Sequence, residues 1–346
     1  MARFPRLPRL EPTPESVFFN RRTFLKRSAL TGIIAALARQ PGQVVAADSK
    51  HERILAPGVN RESIIENFPF PRNPQFDLDD LKLTDPIAAG THNNFYEFLP
   101  GRAGPVWRWT KKFKVDPWKL EVGGECLKPR TFDLDDLFKF EHEERLCRHR
   151  CVETWAMNVP WSGFPLRKLL EAVEPTDHAK HVTFISALLP KQMPGIEKSG
   201  TSPWPYHEAL RIDEANHDLA MIVTGIYGKP MPKQHGAPVR LVTPWKYGYK
   251  SGKSIAKIEL VREQPPTFWS QEVYKHEYGY LSNVNPHIPH PRWSQASEWL
   301  LGTGSNSRTS DRRPTEIFNG YGEFVADLYP DEPTTRQKKL RPGQTA

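Results

Sequence analysis

The chain has 346 residues, a formal net charge of +8 and 38% hydrophobic residues, enough for one large or two intimate domains whose core needs no disulfide framework. Residues 1–47 carry eight basic and two acidic side chains, and four more basic residues sit near the other end at Arg336, Lys338, Lys339 and Arg341. The charge therefore belongs to the two ends, and a near-neutral middle excludes a nucleic-acid-binding face.

Asn20-Arg21-Arg22-Thr23-Phe24-Leu25-Lys26 is followed by an apolar run from Ala29 to Ala38 and by the small residues Val44, Val45, Ala46 and Ala47. That run is half the length of roughly 20 residues that a bilayer-spanning helix needs. Residues 1–47 therefore read as a removable twin-arginine export leader. The route it addresses carries folded proteins to the periplasm, often around a cofactor already inserted.

Residues 48–104 are polar and punctuated by Pro69, Pro71, Pro74 and Pro86, which predicts an irregular N-terminal arm. A main domain is expected over 105–330 and a basic tail over 331–346. Trp118, Leu120 and Val122 alternate with polar residues up to Gly123-Gly124, a strand and a turn. Asp133 and Asp136 suit the cap of a short helix carrying Leu134, Leu137 and Phe138. Pro165 precedes Leu166, Leu169, Leu170 and Val173, one apolar helical stripe. Short runs rich in β-branched residues at Val182–Leu189, Leu219–Tyr227, Val239–Thr243 and Ile255–Val261 predict strands. Helices are few and do not alternate with strands, so the expected class is α+β with mixed sheets.

Cys126, Cys147 and Cys151 are the only cysteines. Iron–sulfur clusters need four cysteines and c-type haem needs Cys-x-x-Cys-His, so both are set aside. His142, Cys147, His149 and Cys151 lack the paired spacing of a zinc site, and His287 with His290 has no third ligand nearby. An odd thiol is either a small buried apolar residue or a metal ligand. The run Trp245-Lys246-Tyr247-Gly248-Tyr249-Lys250-Ser251-Gly252-Lys253-Ser254 packs three lysines, three aromatics and two glycines into ten residues. Lysines, close-approach glycine and ring faces together suit a flat anionic ligand, with Arg240 as a further phosphate contact. Tyr247 stands where a nucleotide P-loop needs glycine.

With His149-Arg150-Cys151-Val152-Glu153-Thr154-Trp155 and Pro160-Trp161-Ser162-Gly163-Phe164-Pro165-Leu166, the chain resembles the catalytic subunits of periplasmic protein-methionine-sulfoxide reductases. These belong to the sulfite-oxidase-fold molybdenum proteins. The resemblance runs over most of the mature chain, including Asn93-Asn94-Phe95-Tyr96-Glu97-Phe98, Gly236-Ala237-Pro238-Val239-Arg240-Leu241 and Asn283-Val284-Asn285-Pro286. It implies a sulfite-oxidase-like molybdopterin-binding α+β fold holding one molybdenum–molybdopterin. Cys151 would be the catalytic residue and the protein's thiolate on the metal, and Asn93, Tyr96, Glu97, Ser186, His235, Arg240, Ser251, Gly252 and Lys253 would bind the pterin. Ser186 and His235 stand where the family has threonine and asparagine, and both keep hydrogen-bonding capacity.

The implied activity is reduction of methionine sulfoxide in exported proteins, with electrons from an integral-membrane haem-binding subunit and maturation through the twin-arginine machinery. Asn283–Gln295 or the arm would supply the docking face. Two alternatives stand beside it: a reductase of small S-oxides or N-oxides, or a sulfite oxidoreductase, on the same fold; and a non-catalytic periplasmic binding protein in which Cys151 is a core thiol. Trp155 and Trp161 read as core. His149 would share a face with Cys151 on a strand, which the sequence does not establish.

Overall fold

A computed structural model describes residues 50–78, 81–200, 202–271, 278–304 and 308–337. The leader read at 1–47 and the last residues of the basic tail lie outside these. No helix among the described residues is long and apolar enough to cross a membrane.

Among the described residues twelve strands form two mixed sheets. The first has the order β2-β1-β10-β5-β6, with β1 at Lys119–Gly124, β2 at Arg130–Asp133, β5 at His181–Ser186, β6 at His207–Arg211 and β10 at Ile255–Val261. β1 runs parallel to β10 and the other pairs are antiparallel. The second sheet is built around β4 at Trp155–Pro165, whose eleven residues are all buried. β4 pairs with β3 at Glu143–Arg150, β7 at Met221–Ile226 and, in parallel, β11 at Ser297–Leu300. β8 at Lys229–Pro230 and β9 at Arg240–Val242 extend from β7, and β12 at Arg312–Pro314 closes the far edge.

Helices are short. Asp133 caps Leu134–Leu137 by accepting the Asp136 N–H at 2.8 Å, and Leu166–Val173 buries Leu166, Leu169, Leu170 and Val173. The α+β class with mixed sheets and few helices holds, and the four β-branched runs coincide with β5, β7, β9 and β10. The sequence reading passed over the β3–β4 hairpin. β3 reads Glu-Glu-Arg-Leu-Cys-Arg-His-Arg, yet Glu144, Arg145, His149 and Arg150 are buried. Its charges are satisfied internally: Arg145, for instance, donates to Glu143 and to the Asp218 carbonyl.

The arm is less irregular than its composition suggests. Asp85 accepts the N–H groups of Ile87 and Ala88 at 2.9 and 3.0 Å, starting the helix Pro86–Thr91. Beyond it the chain pairs Asn93 with Gly104 and inserts Phe95 and Phe98 into the core.

Candidate functional site

β3 ends at Arg150, and the chain turns through residues 151–154 before β4 starts at Trp155. The Cys151 N–H donates to the Trp155 carbonyl at 2.9 Å and the Thr154 N–H to the Cys151 carbonyl at 3.0 Å. Thr154 closes the turn at φ 70, a left-handed conformation unusual for a β-branched residue. Arg150 pins the turn from behind. It is fully buried and donates to the Cys151 carbonyl, to Glu298 Oε2 at 2.8 Å and to Gln295 Oε1 at 2.9 Å. Gln295 and Trp293 in turn donate to the Val152 carbonyl at 2.8 and 2.9 Å.

Cys151 Sγ faces a cleft of about 780 Å³, its open mouth included. Asn94 Nδ2 lies 4.0 Å from the sulfur and the Glu153 N–H 3.4 Å from it, both positioned to donate. Burial, reinforced by Glu153, pushes the thiol pKa up. A soft metal ion at the sulfur would displace the thiol proton, and the two donors would then meet a thiolate.

Three different parts of the chain bring basic side chains to the same cleft. His235 ends a single turn closed by Gly236 at φ 103. Arg240 begins β9, donating to the carbonyls of His235 at 2.7 Å and Ser251 at 3.1 Å while its guanidinium lies 4.9 Å from the Trp161 ring centre. Lys253 sits 5.4 Å from the Phe95 ring centre. Burial, with Arg240 beside it, lowers Lys253 to about 7, and burial lowers Arg240 itself to about 9. Burial also brings His235 down to about 3 and His149 well below its ordinary value, so both rings are neutral at physiological pH. Glu97, lifted to about 7 by burial, is a weak counter-charge.

Glu97 and Glu153 both line the cleft, but burial still holds Arg240 and Lys253 below their ordinary values, and an anionic group beside them would relieve both depressed cations. Asn93 Oδ1, Asn94 Oδ1 and Trp155 Nε1 are buried polar atoms in the same cleft without a protein partner. Thiol, cations and unsatisfied polar atoms fit a phosphate-bearing metal cofactor such as molybdopterin.

Seven of the residues expected from the sequence line this cleft: Asn93, Tyr96, Glu97, Cys151, His235, Arg240 and Lys253. Ser186, Ser251 and Gly252 do not reach its wall. Ser251 Oγ accepts the Thr243 N–H at 3.1 Å, the Gly252 carbonyl accepts the Leu241 N–H at 2.9 Å, and Ser186 Oγ is buried without a partner. The aromatic-basic loop corrects in part. Lys246 turns away to Glu214 at 2.6 Å, and Lys250 pairs with Glu208 at 2.8 Å, both pairs fully buried. Only Lys253 of the three lysines faces the cleft.

Trp161 is core, as expected, but Trp155 lines the cleft. The structure also brings Tyr249 of the aromatic-basic loop to the wall, while sequence reasoning left out Asn94, Glu153, Tyr206 and Trp269, which line it as well. Of these four only Asn94 and Glu153 carried a signal, their adjacency to Asn93 and Cys151. His149 is on a strand after all, and its ring fits only because Gly248 has no side chain: a Cβ there would lie 2.5 Å from Nε2.

Comparison with known proteins agrees with this chemistry. Residues 107–269 match the oxidoreductase molybdopterin binding domain family. Over 324 residues, 93% of this chain and 93% of the relative, the sequence is 43% identical to the protein-methionine-sulfoxide reductase catalytic subunit MsrP of Burkholderia mallei (strain ATCC 23344). Among solved structures, the sulfane dehydrogenase SoxCD of Paracoccus pantotrophus aligns at 14% identity and TM-score 0.46 over 79% of this chain and 67% of its own.

Proposed function

The chain belongs to the family of protein-methionine-sulfoxide reductase catalytic subunits, with an oxidoreductase molybdopterin binding domain, and on that premise we propose that it repairs oxidised methionine in exported proteins with Cys151 as the metal ligand. The leader read at 1–47 supports delivery to the periplasm through the twin-arginine route, with 48–104 as the arm and 105–330 as the catalytic domain of the mature protein. Reduction of a sulfoxide consumes two electrons per turnover, and on this reading they come from an integral-membrane haem subunit.

When bound, molybdopterin supplies a molybdenum centre able to pass two electrons to a sulfoxide, which with two protons yields methionine and water. The chain's own residues set the conditions. Cys151 Sγ would hold the metal, and the Asn94 amide and Glu153 N–H are placed to stabilise negative charge on that sulfur. Arg240 and Lys253 would neutralise the phosphate, and Asn93, with its unsatisfied Oδ1, would offer the pterin an acceptor. Trp155, Tyr206 and Trp269 line the cleft with rings and would limit water around the reacting sulfoxide.

The observation that carries the proposal is the placement of Cys151, hydrogen-bonded from two sides at the floor of a cation-bearing cleft. Cys151→Ser is expected to abolish reduction of methionine-sulfoxide-bearing protein and change the molybdenum paramagnetic-resonance spectrum, whereas Cys126→Ser leaves both as they were. Retention of full activity by Cys151→Ser overturns the assignment.

A further inference from the structure

A second cavity lies beside the cofactor cleft and shares with it a partition made of Val152, Tyr249 and Tyr278. It encloses about 970 Å³, its open mouth included. Tyr247 and Gln295 are buried at its base, while Gly279, Ile288 and Asp331 are exposed at its rim. Ile288, 41% exposed, is among the few large hydrophobic side chains that the described residues leave open to water. The partition is built of rings: Tyr249 and Tyr278 meet edge to face at 5.1 Å, and Tyr278 is 5.5 Å from His290.

The cations suited to an anionic cofactor all lie on the other side of that partition. Arg211, the one cation among the described residues lining this side, is held by Asp213 at 2.8 Å and by the Leu328 carbonyl at 2.8 Å. The second cavity is thus a depression next to the reaction chamber, walled by rings and aliphatic groups together with polar side chains such as Asn283, whose amide donates to Glu332 at 2.8 Å, and Asp331 at the rim.

We propose that this cavity receives the stretch of substrate polypeptide that flanks the methionine sulfoxide, with preference for an apolar or aromatic side chain one or two residues away. The proposal rests on the reductase reading above. Its argument is continuity. A methionine sulfoxide within a chain cannot enter the cleft alone, because its neighbours follow at roughly 3.5 Å per residue and within about 7 Å must settle on the surface beside the mouth. Across Tyr249 and Tyr278 that surface is a hollow whose rings and aliphatic groups, Leu281 and Ile288 among them, give an apolar side chain area to remove from water beside a polar remainder of the wall.

Gly279 offers a clean test. It lines the cavity, is exposed, has no positive φ, and a Cβ built on it meets nothing within 4 Å, so Gly279→Trp fills the hollow without a backbone clash. Holoenzyme of known molybdenum content would be assayed with reduced viologen as electron donor. The two substrates are dimethyl sulfoxide and an acetylated tripeptide carrying phenylalanine beside methionine sulfoxide. The expected result is a loss of about tenfold in kcat/KM for the peptide, carried by KM and equivalent to one good buried contact, with the dimethyl sulfoxide value unchanged within about twofold. Ile288→Asp, which leaves the hollow open but charges its lip, should give the same split. An unchanged peptide value in both variants overturns the proposal, as does an equal loss on both substrates. So does a loss seen only when the membrane partner supplies the electrons, which would assign the hollow to that partner. A wild-type holoenzyme inactive on both substrates removes the reductase reading itself, a result distinct from failure of the subsite alone.

Discussion

Arg150 carries a full charge at zero exposure, directly before the residue that faces the cofactor cleft. Its partner Glu298 is 2.8 Å away and also takes Arg313 at 2.6 Å. A buried charge stripped of its partner costs about 3–5 kcal/mol. Glu298→Ala should therefore lower the urea midpoint sharply and, because Arg150 also holds the Cys151 carbonyl, alter the molybdenum resonance spectrum at unchanged pH. His142 poses the complementary case, a buried ring that must stay neutral. It stacks on Phe138 at 4.9 Å and Phe70 at 4.7 Å, with Nδ1 2.8 Å from the Phe140 carbonyl and Nε2 3.1 Å from Thr224 Oγ1. Burial lowers its pKa to about 4 from an ordinary 6.5. Between those values the unfolded chain binds more protons, so this contribution is complete above pH 6.5 and is lost as pH falls through 4. The span corresponds to roughly 3 kcal/mol. In thermal scans from pH 7 to 4, His142→Gln should lose less stability than the parent, and parallel curves would contradict the assignment.

At the level of elements, the site depends on two close approaches that only glycine allows. Gly195 opens the short helix Gly195–Lys198, donates its N–H to the Glu97 carbonyl at 2.7 Å, and would press a Cβ into the backbone carbonyl of Tyr96. Backbone cannot swing aside as a side chain can. Gly195→Ala should therefore push the Tyr96-Glu97 segment off the domain, reduce molybdenum content several-fold and cost about 1–3 kcal/mol, measured by metal analysis and denaturation together. Gly248 makes the same kind of room for His149. The β3–β4 turn adds a strained Thr154, worth about 1–3 kcal/mol if unrelieved. It is tied down from both sides, since the Thr154 carbonyl accepts the Trp299 N–H at 3.0 Å while Arg150, Gln295 and Trp293 hold the preceding carbonyls.

Across the whole molecule, segments far apart in sequence complete one another. Lys246 is neutralised by Glu214 from the β6 side, and Glu214 also accepts from the Tyr329 hydroxyl, which in turn accepts from Trp245 Nε1 at 2.8 Å. Ending the chain before Leu328 removes that hydroxyl from a buried ion pair, and the shortened protein should unfold at lower urea than one ending after Glu332. This pairing also marks what the sequence could and could not disclose. β1, β5, β7 and β10 were legible because alternation and β-branched runs are local signals. β3 was not, since four of its buried residues are charged or imidazole side chains whose partners lie up to 165 positions away, as for Arg150 and Thr315. For the same reason the lysines of the aromatic-basic loop looked alike, although Glu208 and Glu214 claim two of them from an earlier strand and helix. Seven of the cleft residues were legible one by one through family resemblance, while Trp155, Tyr206 and Trp269 needed the folded geometry. The extended course of β3 has one more effect, on how the protein ages under oxidation. Cys147 and Cys151 are four residues apart at about 3.3 Å each, so their α-carbons stand roughly 13 Å apart, beyond the reach of about 7 Å at which a disulfide can close. Cys126 is bridged to Pro175, beside the other sheet. An oxidising environment thus has no internal route by which to lock the one sulfur the cleft depends on.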